Sequence, residues 1–246
     1  MITAMLFAGG IGSRMKQSDI PKQFLEVGGK PIIIHTMEHF AKHSMVDAIV
    51  VACKEDWIDY LKELIEKFNV AKVKSIVPGG PNGFDSIHNG VVATAEFSEN
   101  DDDIILICDG VRPMLSEELI SNCIRDTQKY GTAVPVTPSI DSLLYSEDGE
   151  TCCKSYNRNT MYITQAPQGY TMKNILWAHE EAYKRNILNP ISSSELFIEL
   201  GEKIHIFKGE RFNIKVTTAE DLTTLRAQFY YNNYKNFAKE ELKYGI

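Results

Sequence analysis

The chain has 246 residues, a formal net charge of −7, 43% apolar residues and 24% charged residues. This length allows a sizeable core within one α/β domain, and the composition is ordinary for a soluble globular protein. The acidic balance argues against broad nucleic-acid binding, which requires a basic face.

No apolar run approaches the roughly 20 residues that span a bilayer. The N-terminus also lacks the basic segment and long apolar core of a secretory signal. The five cysteines form no CxxC pair, and the adjacent Cys152 and Cys153 have poor geometry for a mutual disulfide. We therefore expect reduced thiols in a cytoplasmic protein that does not bind membranes.

Apolar periodicity predicts alternating strands and helices along most of the chain. The predicted strands are Ile2–Phe7, Val46–Cys53, Lys72–Val77, Asp103–Cys108, Thr132–Val136 and Lys203–Phe207. The predicted helices are Pro31–His43, Glu55–Phe68, Ser86–Phe97, Ser116–Tyr130, Thr171–Arg185, Ser192–Leu200 and a last helix from Asp221 to about Glu240. This order implies an α/β fold with a doubly wound, mainly parallel sheet, whose ligands bind beyond the carboxyl ends of the strands.

The alternation breaks between about residues 138 and 164. Ser146–Glu150 is typical of a hairpin turn, and the flanking segments have no helical period. We expect a β-arm that projects from the sheet and packs on a second subunit, which would make the protein a homodimer. Because no linker or repeat is present, the sequence predicts a single domain over residues 1–246 with this arm.

The loop that follows the first strand, residues 8–22, is dense in glycine and carries two fixed positive charges. The glycines are Gly9, Gly10 and Gly12, and the cations are Arg14 and Lys22. Glycine lets backbone N–H groups converge on an anion, while arginine and lysine pair with phosphate oxygens. The loop therefore suits a triphosphate.

Two common phosphate-binding motifs are absent from this loop. A P-loop requires Lys-Ser or Lys-Thr directly after its last glycine, and neither pair follows the glycines here. Met15 stands where the dinucleotide motif needs its third glycine, which disfavours a Rossmann oxidoreductase.

The motif Ala-Gly-Gly-x-Gly-x-Arg-Met at residues 8–15, followed by Pro-Lys-Gln-Phe at 21–24, resembles the signature of the sugar- and polyol-phosphate nucleotidyltransferases. Within them the chain is similar to the cytidylyltransferases that act on 2-C-methyl-D-erythritol 4-phosphate or ribitol 5-phosphate. Further matching blocks are Asp109–Pro113, Gln165–Gln168 and Asn213–Leu222, so the resemblance runs from residue 2 to about 226. It implies a Rossmann-like sheet of the nucleotide-diphospho-sugar transferase type.

The resemblance also implies roles for individual residues. The residues expected to bind CTP are Ala8, Gly9, Gly10, Gly12, Ser13, Gly80 and Ser86. The expected catalytic residues are Arg14, Lys22 and Lys215, and those expected to seat the acceptor are Arg112, Ser142, Arg158 and Thr217. The chain departs from the family pattern at Gly83, Cys108, Ala166 and Ser193.

Asp109 directly follows a strand whose apolar run suits burial on both faces. Magnesium is typically held by one or two carboxylates together with substrate phosphates and waters. A carboxylate that leaves the sheet edge toward a triphosphate meets this need, so we expect Asp109 to carry Mg²⁺.

These observations predict the transfer of CMP from CTP to a small polyol phosphate, with release of pyrophosphate. Within the family, Val111, Pro31, His35 and Thr36 resemble the ribitol branch. This resemblance implies D-ribitol 5-phosphate as the acceptor and a cell-wall or surface-polysaccharide precursor as the product. The main alternative acceptor is 2-C-methyl-D-erythritol 4-phosphate of isoprenoid biosynthesis. A related surface-polysaccharide phosphate or phosphonate and a non-catalytic nucleotide-binding subunit also stay open.

Overall fold

In the computed structural model, residues 1–9, 20–187 and 190–244 are described, with residues 232–244 described by their backbone alone. The strands in this part of the chain are β1 Ile2–Ala8, β2 Glu26–Val27, β3 Lys30–Pro31, β4 Ala48–Cys53, β5 Val73–Pro78, β6 Ile104–Asp109, β7 Thr132–Pro138, β8 Leu143–Tyr145, β9 Lys154–Tyr156, β10 Tyr162–Thr164, β11 Gln168–Thr171 and β12 Ile206–Lys208. The α-helices are α1 Ile32–Lys42, α2 Ile58–Lys67, α3 Gly83–Ala95, α4 Glu117–Tyr130, α5 Met172–Lys184, α6 Ser193–Glu199 and α7 Ala219–Tyr244. Short 3-10 helices cover Lys22–Phe24, Glu55–Trp57 and Arg158–Thr160.

The central sheet has the strand order β10-β7-β11-β6-β1-β4-β5, and β12 pairs with β7. The strands β5, β4, β1 and β6 are parallel to their neighbours in this series, whereas β11 runs antiparallel between β6 and β7. The prediction of a mainly parallel, Rossmann-like α/β sheet is therefore confirmed.

Helices cover both faces of the sheet, as continuous apolar strands require. Every residue of β4 and of β6 is buried. The helices α1, α2 and α4 pack on one face, and α3, α5 and α6 pack on the other. The carboxyl ends of β1, β4, β5 and β6 consequently share one open edge of the sheet.

Side-chain caps define where several helices begin. Ser116, Thr171 and Ser192 each accept a hydrogen bond from a backbone N–H in the first turn of α4, α5 and α6, respectively. The predicted start of α3 at Ser86 is wrong, because Asn82 Oδ1 accepts a hydrogen bond from Asp85 N at 2.8 Å and the helix begins at Gly83.

The short paired strands β2 and β3 were not predicted, and two further differences from the predicted elements concern strands of the central sheet. The segment Gln168–Thr171 forms β11, which apolar periodicity did not predict. The strand expected at Lys203–Phe207 is instead β12 at Ile206–Lys208. The backbone N–H of His205 donates to the side-chain hydroxyl of Thr132, and the pairing with β7 begins at the next residue.

The predicted arm contains the hairpin β8–β9, whose strands pair from Leu143↔Tyr156 to Tyr145↔Lys154. All residues of β8, β9 and β10 are exposed. The five cysteines are free thiols, as expected, with Cys152 and Cys153 exposed on this arm. No helix in the described ranges is long and apolar enough to cross a membrane.

The interface between α3 and α5 contains two imidazoles. His179 is 2% exposed and stacks on Phe84, with ring centroids 4.8 Å apart. The ring of His88 lies 5.2 Å from that of His179. Within the described part of the chain neither ring nitrogen of His179 has a hydrogen-bond partner. Burial, with a smaller contribution from His88, lowers the pKa of His179 to about 3.

Candidate active site

The loops after β1 and β5 touch at the open edge of the sheet. A Cβ atom at Gly9 would lie 2.8 Å from Ser86 Oγ, and one at Gly79 would lie 3.1 Å from the same oxygen. Ser86 Oγ accepts a hydrogen bond from Gly80 N at 3.0 Å and donates one to Asn82 O at 2.7 Å. The structure therefore brings Gly9, Gly80 and Ser86 of the predicted CTP-binding set together.

The segment that follows the glycine loop is hydrogen-bonded to the end of β1. Gln23 Nε2 donates a hydrogen bond to Ala8 O at 2.6 Å, and both residues are buried. This bond holds the 3-10 helix that begins at Lys22 beside the end of β1, at the same edge as Gly9. The remaining predicted residues of the loop, Gly10, Gly12, Ser13 and Arg14, lie outside the described residues.

Asp109 ends β6 and is 5% exposed. Its Oδ2 accepts from Arg112 Nε at 2.7 Å, and its Oδ1 lies 2.5 Å from Lys215 Nζ. Burial raises the pKa of the Asp109 carboxyl, but the two cations outweigh it and hold the pKa below its usual value. The sequence places Asp109 and Lys215 over a hundred residues apart, and the structure joins them in one ion-pair cluster.

A hydrogen-bonded scaffold holds this cluster from behind. Arg112 Nη1 donates to Asn213 O at 3.0 Å, and Asn213 Nδ2 donates to Ala166 O at 2.6 Å. The amide of Gln165 donates to Glu210 O at 2.7 Å and accepts from Glu210 N at 3.0 Å. Because Gln165 and Asn213 are buried, the segment that carries Lys215 is fixed to the core.

Two cavities meet at the ion-pair cluster, and Arg112, Thr164, Gln165 and Lys215 line both. The smaller, of about 200 Å³, extends toward Phe7, Gln168 and Ser193. The larger, of about 580 Å³, opens toward the base of the arm. The cluster is therefore accessible from two sides, as a group that acts between two ligands needs to be.

Of the predicted acceptor-binding residues, Arg112 lines the larger cavity, and the other three lie next to residues that line it or bond to them. Arg158 is exposed on the arm, and its Nη1 donates to the carbonyl of Ile140, which lines that cavity. Ser142 is exposed at the foot of the arm, directly before β8. The Thr217 hydroxyl donates to Lys215 O at 3.2 Å, and Thr217 N donates to Asp221.

Sequence reasoning did not assign site roles to Gln165, Glu210 or Ser193. Gln165 belongs to the Gln165–Gln168 block, and Ser193 is one of the departures from the family pattern. Their place in that pattern is the sequence signal that marks them. Glu210 has no such signal, because its backbone meets Gln165 across 45 residues of sequence. The hydroxyl of Ser193 is buried without a hydrogen-bond partner in the described structure, and Ser193 lines the smaller cavity.

Asp109 is also the residue predicted to carry Mg²⁺. No three carboxylate, imidazole or thiol groups of the described residues come together as a metal site. A single carboxylate beside a cavity still fits magnesium, because substrate phosphates and waters complete its coordination. Both oxygens of Asp109 are now engaged by cations, so a metal ion would share or replace the contact with Lys215, which is the more exposed of the two.

Comparison with known proteins identifies the family. The family model described as 2-C-methyl-D-erythritol 4-phosphate cytidylyltransferase, IspD, matches residues 2–233. The ribitol-5-phosphate cytidylyltransferase of Streptococcus agalactiae serotype III is 38% identical over 93% of this chain and 95% of its own. A 2-C-methyl-D-erythritol 4-phosphate cytidylyltransferase of Clostridium botulinum is 34% identical over 89% of this chain and 93% of its own.

Among solved structures, 4-diphosphocytidyl-2C-methyl-D-erythritol synthase from Anaerococcus prevotii has a TM-score of 0.78 at 27% identity and covers 93% of this chain and 96% of its own. The matches span almost the whole chain and include each block of the ion-pair cluster. The chain belongs to the IspD family of cytidylyltransferases and is a nucleotidyltransferase.

Proposed function

We propose that this enzyme transfers CMP from CTP to D-ribitol 5-phosphate, giving CDP-ribitol and pyrophosphate. The observation that carries the proposal is the Asp109–Lys215 ion pair, which lies between two cavities at the carboxyl edge of the sheet. The choice of ribitol phosphate rests on the relatives, since those named for it are 37–38% identical and those named for methylerythritol phosphate are 34% identical.

In the proposed reaction, a phosphate oxygen of the acceptor attacks the α-phosphorus of CTP. A new oxygen–phosphorus bond forms, the bond from the α-phosphorus to the bridging oxygen breaks, and pyrophosphate leaves with that electron pair. The attacking group is already an anion, so the protein needs no side-chain nucleophile. Catalysis rests on alignment of the two phosphates and on neutralisation of their charge.

Different residues at the carboxyl edge of the sheet would align the phosphates and neutralise their charge. Lys22 and Arg14 would hold the triphosphate and stabilise the leaving pyrophosphate. Lys215 would turn from Asp109 to the α-phosphate, where negative charge is concentrated in the transition state. Asp109 would hold Mg²⁺, which when bound neutralises phosphate charge.

The arm supports the further proposal of a homodimer. Its exposed apolar side chains include Leu144 at 68% and Ile163 at 56% exposed, with Tyr145 beside them. Apolar surface of this kind is more often covered in the working assembly than left in water. Arg158 would then stand next to the acceptor of its own or of the second subunit. Sedimentation analysis of the purified chain tests the dimer.

Location in the cytoplasm stays a prediction.

Pyrophosphate release tests the activity. The enzyme is supplied with CTP, UTP or ATP and with D-ribitol 5-phosphate, 2-C-methyl-D-erythritol 4-phosphate or another pentitol phosphate. We expect the highest kcat/KM with CTP and D-ribitol 5-phosphate. Preference for the methylerythritol substrate would replace the proposed acceptor, and CTP binding without turnover would identify a non-catalytic subunit.

A further inference from the structure

The larger cavity contains one cation that the mechanism has not used. Three basic residues line this cavity: Arg112, Arg211 and Lys215. Arg112 and Lys215 are committed to Asp109, and Arg112 also bonds to a backbone carbonyl. In the part of the chain that the structure describes, Arg211 forms no hydrogen bond and no ion pair.

The backbone on both sides of Arg211 is fixed. Gly209 N donates to Val136 O at 2.8 Å, and Glu210 exchanges two hydrogen bonds with the buried amide of Gln165. On the other side, Asn213 N donates to Glu210 O at 3.1 Å, and Asn213 is 1% exposed. The loop therefore presents the Arg211 side chain from a rigid base, although that side chain is exposed.

The charges of the cavity favour an anion near Arg211. Asp221, one of two carboxylates in the lining, already accepts hydrogen bonds from Thr217 N and Thr218 N. The other carboxylate, Asp141, is exposed at the base of the arm and would repel a phosphate placed beside it. A guanidinium can bind a phosphate through two parallel hydrogen bonds, and Arg211 need not first break an existing pair.

We propose that Arg211 binds the phosphate of the acceptor polyol monophosphate within its own subunit. This inference rests on the proposed function. It assigns to the larger cavity a phosphate anchor that does not depend on the arm of a second chain. It also leaves Lys215 available for the nucleotide, because Arg211 carries the charge of the acceptor.

Steady-state kinetics of R211A and R211K test the assignment, with K208A as the matched control. Lys208 is an exposed cation three residues earlier in the chain, at the end of β12. We expect R211A to raise the KM for D-ribitol 5-phosphate by about 10- to 100-fold, as loss of a charge-assisted contact does. The KM for CTP and kcat should stay within about twofold, R211K should be intermediate, and K208A should resemble the wild type.

Inhibition by inorganic phosphate gives a second readout that a structural role would not change. Phosphate should compete with the acceptor in the wild type, and its inhibition constant should rise in R211A in parallel with the acceptor KM. The assignment would be overturned if R211A left the acceptor KM unchanged, or if it lowered kcat at saturating CTP and acceptor as much as it raised the acceptor KM. In either case, turnover by the wild type would still support the proposed function. If the wild type turns over no polyol phosphate, both the function and this assignment are wrong.

Discussion

Proton uptake by His179 when the chain unfolds should make the fold sensitive to mild acid, because the imidazole is buried at the α3–α5 interface in the folded state. The folded chain keeps the pKa of His179 at about 3 because burial opposes its charge. The same side chain in the unfolded chain has a pKa of about 6.5. The unfolded state therefore binds more protons between these values, and stability must fall as the pH decreases through that window.

The size of the effect follows from the two pKa values. At pH 5 the unfolded imidazole is largely protonated and the folded one is neutral, so His179 lowers the free energy of unfolding by about 2 kcal/mol relative to pH 7. The His179→Phe variant should lose this dependence, since a phenyl ring can keep the stack on Phe84 and leaves no unpartnered nitrogen.

Urea denaturation of the wild type and His179→Phe at pH 7 and pH 5 measures the difference. We expect the loss of stability over this interval to be about 2 kcal/mol smaller in the variant. His205→Phe is the matched control, because it makes the same substitution at a half-buried imidazole outside the α3–α5 interface. Equal pH dependence in the wild type and His179→Phe would refute the reasoning.

Three predictions concern the site. Asp109→Asn should lower the free energy of unfolding by about 3 kcal/mol, because it leaves the buried Arg112 without its counter-ion. Asp59→Asn breaks an exposed pair with Lys62 and should cost less than about 1 kcal/mol in the same urea titration; equal costs would contradict the argument. Lys22→Ala should lower kcat by about 10²- to 10³-fold with an unchanged circular dichroism spectrum. The exposed Lys74→Ala is its control, and near-normal turnover of Lys22→Ala would remove Lys22 from the mechanism. Chelation with EDTA should abolish pyrophosphate release and added Mg²⁺ should restore it, whereas activity in EDTA would argue against a metal at Asp109.

The sequence predicted the parallel half of the sheet well, since β1, β4 and β6 are continuous apolar runs that are buried throughout or nearly so. It did not predict β11, whose segment Gln168–Thr171 contains a glycine and no apolar run. Burial of that strand comes from its neighbours. A Cβ at Gly169 would lie 2.0 Å from the Thr127 hydroxyl of α4. The need for glycine at this position therefore follows from the packing of α4 on the sheet, which the local sequence does not reveal.

The candidate site likewise contains residues that the sequence predicted and one that it did not. Asp109 was predicted because it directly follows a buried apolar strand, and Lys215 because it lies in a block that resembles the family pattern. Neither signal specified the ion pair that joins them. Arg211 was not predicted, because it lies in a loop whose position depends on the distant pair Gln165 and Glu210. Contacts between distant loops leave no periodic pattern in the sequence.

The close approach of Gly9 and Gly79 to Ser86 has a mechanical consequence. No methyl group fits at Gly9 without moving the hydroxyl that anchors Gly80, so Gly9 cannot move closer to Ser86 without displacing the segment after β5. A ligand that presses Gly9 toward Ser86 must therefore displace that segment as well. In the proposed reaction, a triphosphate that presses on Gly9 would thereby also move Gly80 and Ser86, which are predicted to bind CTP.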